Sequence, residues 1–538
     1  MRALFTGALV VLASCEWSLG DGGGAAGAGE TQAGSIDRRD PNTLIVGRVA
    51  DAISLDPARI TDNESVEVCE QIYDTLLEYH PGSDTIEPGL ATDWRVSEDG
   101  RVWTFDIRRG VTFHDGTPLS AHAVVFSFER QRDDGHPHHH DDFAYWRNSY
   151  RNVESVRATD DYTVEITIDR RYAPFEATLA MFPVGIVSPA AVAEHEGDFA
   201  TRPVGTGPFS FASWEGDRIV LERNEDYWGR APEIERLIFQ TIPDGRQRLV
   251  ALESGAIDLA YSIPPEELQF VELHPQLRLH RRSANNVAYM AMNTQRPPFD
   301  DVRVRRAVNH AVNKEPIVEL MYQGLATAAD GPLPPGQWGH SPVTARYPYD
   351  PTRARELLAD AAADGAFEAG GRYGLYVPST PRPYLPDPAG VARVIRANLA
   401  DVGIDTELVM QPFADHRRDV QAGRHDFGLF GWVGDNGDPD NFLHVLFDRE
   451  NTIPGLARNI AFFRDREVSE LLVRGQRAQE RERREAIYGR VQELIALRAP
   501  WLPIAHSQVV VAARQDVAGV LLSPTSHVHF DRVRRVAP

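Results

Sequence analysis

Between Tyr373 and Met410 the chain spells out one β-loop-α-β unit, and no other stretch limits the fold as strongly. Residues 373–377 read as a strand, 378–386 as a loop, 388–401 as a helix and 406–410 as a second strand. The loop lies at a strand C-end and a helix N-end, the crevice where open α/β sheets bind ligands, anions in particular. Strands and helices alternate elsewhere too, which defines an α/β or α+β chain. Residues 43–49 and 103–108 read as strands. Residues 120–131 read as a helix with Ser120 as N-cap, and 302–311 and 314–322 as consecutive helices. A strand over 427–433 runs into the polar loop 434–440, and 504–512 reads as a late strand.

The N-terminus points to export. Arg2, the short apolar run 3–13 and Leu12-Ala13-Ser14-Cys15 form a lipoprotein signal, cleaved so that Cys15 becomes a lipidated N-terminus. Residues 20–34 are mostly Gly, Ala and small polar residues and behave as a flexible tether. Cys69 is the other cysteine, on a stretch with helical periodicity, and reads as a small buried apolar residue.

About 500 residues remain, enough for two or three domains. The net charge of −22 and the lack of a dense basic stretch argue against nucleic acid. No His-Glu-x-x-His, Gly-x-Ser-x-Gly or phosphate-binding loop with lysine occurs, so no enzyme is expected. Gly205-Thr206-Gly207 is followed by Pro208, which makes it a turn rather than half of a dinucleotide fingerprint. His136, His138, His139 and His140 with Asp133, Asp134, Asp141 and Asp142 invite a metal reading, but adjacent histidines on a loop rarely close a coordination shell. They read as a solvated acidic loop, and no metal or cofactor is expected.

Several blocks follow one another in an order that matches a known family. They are Gly89-Leu90-Ala91-Thr92-Asp93-Trp94, Phe113-His114-Asp115-Gly116-Thr117-Pro118, residues 203–209 and Asn224-Glu225-Asp226-Tyr227-Trp228-Gly229. Residues 301–311, Tyr349-Asp350-Pro351 and residues 431–440 complete the series. With them the chain resembles the peptide/nickel-binding family (family 5) of extracellular solute-binding proteins of ABC transporters. The last block and Arg382-Pro383-Tyr384 look most like its dipeptide-binding branch.

The resemblance implies a two-lobed periplasmic-binding-protein (type II) fold with an extra subdomain, about 85–200, inserted in lobe I. Lobe I would comprise 43–285 and the return 508–538, and lobe II 286–507, after a signal peptide 1–14 and a tether 15–42. It also implies permease subunits as partners, a monomer, lipid on Cys15 as the membrane contact, and capture of a short peptide.

A dipeptide presents an ammonium and a carboxylate roughly 6–7 Å apart, and enclosing it requires a partner for each charge. By position in the matched motifs, Asp435 looks like the ammonium acceptor and Arg382 like the bidentate carboxylate partner. Read from the residues alone, Asp435 is equally a turn carboxylate before Asn436-Gly437, and Arg382 a solvated loop arginine. Trp432, Tyr384 and Gly431 would wall the ligand, although Trp432 at a strand end also reads as core. Relatives in the same family bind haem or nickel chelates, which is the alternative ligand class.

Overall fold

The computed structural model describes residues 40–342, 346–523 and 527–536. Cys15, the signal segment and the tether lie outside them. Among the described residues no helix is long and apolar enough to cross a membrane.

The backbone is organised around a 12-stranded sheet whose middle member, Trp501–Arg514, is unusually long. Its first half pairs with Asn286–Met292, Ala288 opposite Ala505 and Ala291 opposite Trp501. Its second half pairs with Leu277–Ser283, from Ser283 opposite Gln508 to Leu277 opposite Arg514. The sheet therefore runs through both lobes, with residues 277–283 and 286–292 pairing with opposite ends of this one strand. Asn286 fastens its strand to this one: its Nδ2 donates to Ser507 Oγ at 2.6 Å and its Oδ1 accepts from Ser507 N at 3.0 Å.

One lobe is built on Thr43–Arg48, fully buried and parallel to both Arg236–Thr241 and Leu259–Tyr261. Its apolar face gathers Leu44, Val46, Phe239 and Leu259, with Cys69 buried in the adjoining helix Asn63–Ile72. Thr43–Arg48 reads as a near-continuous hydrophobic run because a strand with two parallel neighbours is covered on both faces.

The other lobe holds the β-loop-α-β unit of residues 373–410. Arg372–Pro378 and Asp405–Gln411 are parallel neighbours joined through the helix Pro388–Asp401. That helix starts where its first residues dictate: Asp387 Oδ1 accepts from Gly390 N at 2.8 Å, and Pro388 occupies the first turn, where an amide is not required. Val391, Ile395 and Leu399 recur at helical spacing and are fully buried against Leu375 and Val377.

A separate four-stranded antiparallel sheet, Ala91–Val96, Val102–Ile107, Thr163–Ile168 and Val153–Asp160, carries its own core of Trp103, Phe105, Ile166 and Phe128. The helix Ala121–Arg132 covers it, with Ser120 at the N-cap position but no capping bond from its hydroxyl. His136 and His138 lie against Phe126, and His139 Nδ1 meets the Arg130 carbonyl at 3.1 Å. Among the described residues no group of three or more His, Cys, Asp or Glu is arranged to hold a metal ion.

Candidate functional site

Phe427–Val433 runs antiparallel to Asn286–Met292, with Trp432 opposite Val287, and delivers the loop that follows to the junction between the lobes. That loop is held at nearly every residue. Gly434 N donates to Asn285 O at 2.7 Å, and Asn285 Nδ2 donates back to Asn436 O at 2.9 Å. Gly437 N donates to the Tyr79 hydroxyl at 2.9 Å, from the other lobe. Asp438 receives a bidentate pair from Arg484, both contacts at 2.7 Å and both side chains buried. These bonds fix the direction of Asp435, which sits half-buried between them.

Asp435 faces a cavity of about 190 Å³ between this loop and the subdomain. Opposite it, Tyr145 donates its hydroxyl to Asp435 Oδ1 at 3.4 Å. Tyr145 leads into a π-helical turn, Trp146–Tyr150, whose Asn148 and Ser149 also line the cavity. Such turns cost regular hydrogen bonding and gather at functional sites. Tyr172 donates to Asp440 Oδ2 at 3.2 Å from the same side. Asn441, at the start of Asp440–Phe447, accepts from Trp432 Nε1 at 2.9 Å and from Asp435 N at 3.3 Å. Burial pushes the Asp435 carboxyl above the usual carboxylate range, against the opposing pull of Arg458, Asn441 and Tyr145. Among the described residues no cation forms an ion pair with it.

Of the five residues named from the sequence, Asp435 and Trp432 line this cavity. Arg382, Tyr384 and Gly431 do not. Arg382 is 7% exposed and lies flat on the Phe413 ring, its Cζ 3.8 Å from the centroid. Its Nε has no hydrogen-bond partner, and no carboxylate among the described residues pairs with it. Phe413 stacks in turn on Phe430, which does line the cavity, so Arg382 stands two rings behind the wall. The arginines on the cavity wall are Arg151, Arg170, Arg458 and Arg417, the last from the helix Phe413–Gln421. Tyr384 is buried, its carbonyl accepting from the Tyr322 hydroxyl at 2.7 Å, and its ring rests directly on Gly431. A Cβ at position 431 would overlap that ring. Gly431→Ala is therefore expected to cost about 1–3 kcal/mol through forced repacking, read as a lower denaturant midpoint at an unchanged slope.

Sequence reasoning missed Tyr145, Asn148, Arg151, Arg417 and Arg458. A π-turn has no residue signature, and the subdomain wall is nearly 300 positions away from Asp435 along the chain.

A two-lobed α/β body, with a carboxylate that faces a cavity and has no direct ion pair among the described residues, has the form of a receptor for a small ligand. The family model for bacterial extracellular solute-binding proteins, family 5, middle region, matches residues 85–453. Heme-binding protein A of Haemophilus influenzae is 35% identical over 542 residues, covering 97% of this chain and 96% of that protein. The dipeptide-binding protein of Escherichia coli is 32% identical over 479 residues, covering 86% and 88%. The structure of HbpA2 from Haemophilus parasuis superposes with a TM-score of 0.87 at 33% identity, covering 92% of this chain and 100% of that one. The chain belongs to family 5 of the bacterial extracellular solute-binding proteins. It is the substrate-binding component of an ABC transporter that works outside the cytoplasm, and not an enzyme.

Proposed function

We propose that the chain captures short peptides, dipeptides first, for its importer, with Asp435 holding the ligand's ammonium and Arg382 its carboxylate. In this reading lobe I spans 43–285 and 508–538, lobe II spans 286–507, and lipid on Cys15 tethers the monomer to the membrane. One observation carries the ligand assignment: Asp435 is a half-buried carboxylate facing a cavity with no ion-pair partner of its own. A charge in that position is costly unless a cation arrives with the ligand. The buried, unpaired guanidinium of Arg382 supplies the complementary charge. It reaches a ligand only if the Phe413–Phe430 stack yields, whereas Arg417 already stands on the cavity wall.

The pH dependence has a definite sign. An ammonium pairs with ionised Asp435, and burial has raised the pH at which that carboxyl takes up a proton. Calorimetric titration with a dipeptide should give full affinity at neutral pH. Affinity should fall on acidification, starting above the pH at which an ordinary carboxylate titrates. Affinity that is flat or rises on acidification would remove Asp435 as the ammonium partner.

Arg382→Ala should weaken dipeptide binding more than Arg417→Ala does, measured side by side at pH 7. The reverse order would hand the carboxylate role to Arg417.

A tetrapyrrole ligand is the second reading. It is favoured by the likeness to heme-binding protein A and by His444 on the cavity wall, an imidazole able to ligate iron. A strong visible absorbance on loading would favour the tetrapyrrole instead.

A further inference from the structure

The cavity opens into a vestibule of about 1080 Å³ whose charge runs against that of the whole molecule. The chain has 56 basic and 78 acidic residues, yet the vestibule is lined by Arg151, Arg170, Arg171, Arg449, Arg458, Arg464 and Arg477 with a single carboxylate, Glu450. Among the described residues only one of these arginines is ion-paired, Arg170 with Asp169 at 3.7 Å. Arg171 donates to the backbone carbonyls of Glu98 and Asp99, and Arg464 to Thr452 Oγ1 at 3.0 Å. The positive charge of the vestibule is thus almost wholly unneutralised by the protein.

Three of the arginines, Arg151, Arg170 and Arg458, line both the vestibule and the cavity. Burial already disfavours the charged form of Arg458, Asp435 offsets this, and nearby Arg151 adds to the penalty. A neutral dipeptide zwitterion needs one cation for its C-terminus. Arg382 or Arg417 meets that need, which leaves the vestibule set without a task. Cations lining a low-dielectric cleft focus the field and concentrate anions at its mouth. Arginine in particular matches planar carboxylates through its fork of donors.

We infer that the ligand carries at least one carboxylate beyond a peptide C-terminus, and that the vestibule arginines draw it in and hold that extra charge. Within the peptide reading, on which this inference rests, the preferred ligands are acidic di- or tripeptides. A tetrapyrrole with two propionates has the same carboxylate chemistry, and the two sources separate in the experiment.

The test compares alanyl-glutamate, dialanine, alanyl-arginine and protoporphyrin against the full chain and against Arg449→Gln/Arg477→Gln. Both substituted side chains are exposed, outside the cavity and without a hydrogen-bond or ion-pair partner among the described residues. At low ionic strength alanyl-glutamate should bind about tenfold or more tighter than dialanine, with alanyl-arginine weakest. The gap should narrow as salt rises. The double variant should shrink the preference several-fold while dialanine binding stays unchanged.

Equal affinities for the acidic and neutral peptides, or a preference untouched by the double variant, would overturn the inference while leaving a peptide receptor standing. Failure of every peptide, with protoporphyrin bound and weakened in the double variant, would end the peptide reading and uphold the carboxylate-rich ligand. Failure of every peptide with protoporphyrin binding that ignores the double variant, or no binding by any probe, would overturn both.

Discussion

Asp435→Asn should abolish tight binding of zwitterionic peptides and leave the empty protein as stable as before. The amide keeps the size of the carboxyl and can still accept from the Tyr145 hydroxyl, but it offers no charge to an ammonium. Removing one partner of a desolvated charge pair costs about 2–5 kcal/mol in binding, so the dissociation constant should rise by roughly 30-fold or more. Stability should move the other way, if at all. Burial raises the folded-state carboxyl above its unfolded value, so the ionised form weighs against the fold at neutral pH, and the neutral amide relieves that. Thermal unfolding with and without saturating dipeptide separates the two effects. The empty variant should melt at or slightly above the parent, and the ligand-induced shift should vanish. A variant that still shows the full shift would remove Asp435 from the site.

Arg484→Met should have the largest effect on stability. Arg484 and Asp438, 6% and 3% exposed, form a buried bidentate pair, and the arginine also donates to Tyr488 Oη at 3.0 Å and to Gly475 O at 3.2 Å. Truncating one member of such a pair strands the other charge in the interior, at a cost of about 3–5 kcal/mol. Asp438 Oδ1 also accepts from Asp440 N at 2.9 Å, so loss of the arginine loosens the loop that aims Asp435. Denaturant titration should show the unfolding free energy falling by that amount, seen as a lower midpoint, with ligand affinity falling too. Arg484→Met/Asp438→Asn should recover part of the stability, because the amide retains an acceptor for Asp440 N without the stranded charge. A double variant no more stable than the single one would mean the guanidinium acts by packing, against Trp338 and Tyr488, rather than by charge.

The elements that were legible in the sequence carry their own start and stop instructions. Asp387-Pro388 caps and opens the helix through Asp401, and Phe427–Val433 appears with the bounds its apolar run prescribes. The long strand was read only over 504–512, because Trp501 and Pro503 do not look like the start of a central strand; Pro503 sits beside the register irregularity at Ala288/Tyr289. The helix Phe413–Gln421 was passed over because Asp415, His416, Arg417, Arg418 and Asp419 mask its apolar positions, and Arg417 went with it. Asp435 and Trp432, which line the cavity, belong to a motif whose loop is locked by long-range bonds. The far wall, with Tyr145 and its π-turn, depends on tertiary placement of a subdomain and has no local signal.

Trp501–Arg514 belongs to both halves of the sheet at once. Peeling it away would strip Asn286–Met292 in one half and Leu277–Ser283 in the other of their shared neighbour, exposing two hydrophobic interiors together. The shared strand thus couples the two halves, and a ligand gripped at the cleft is expected to raise the melting temperature of both rather than of a single part.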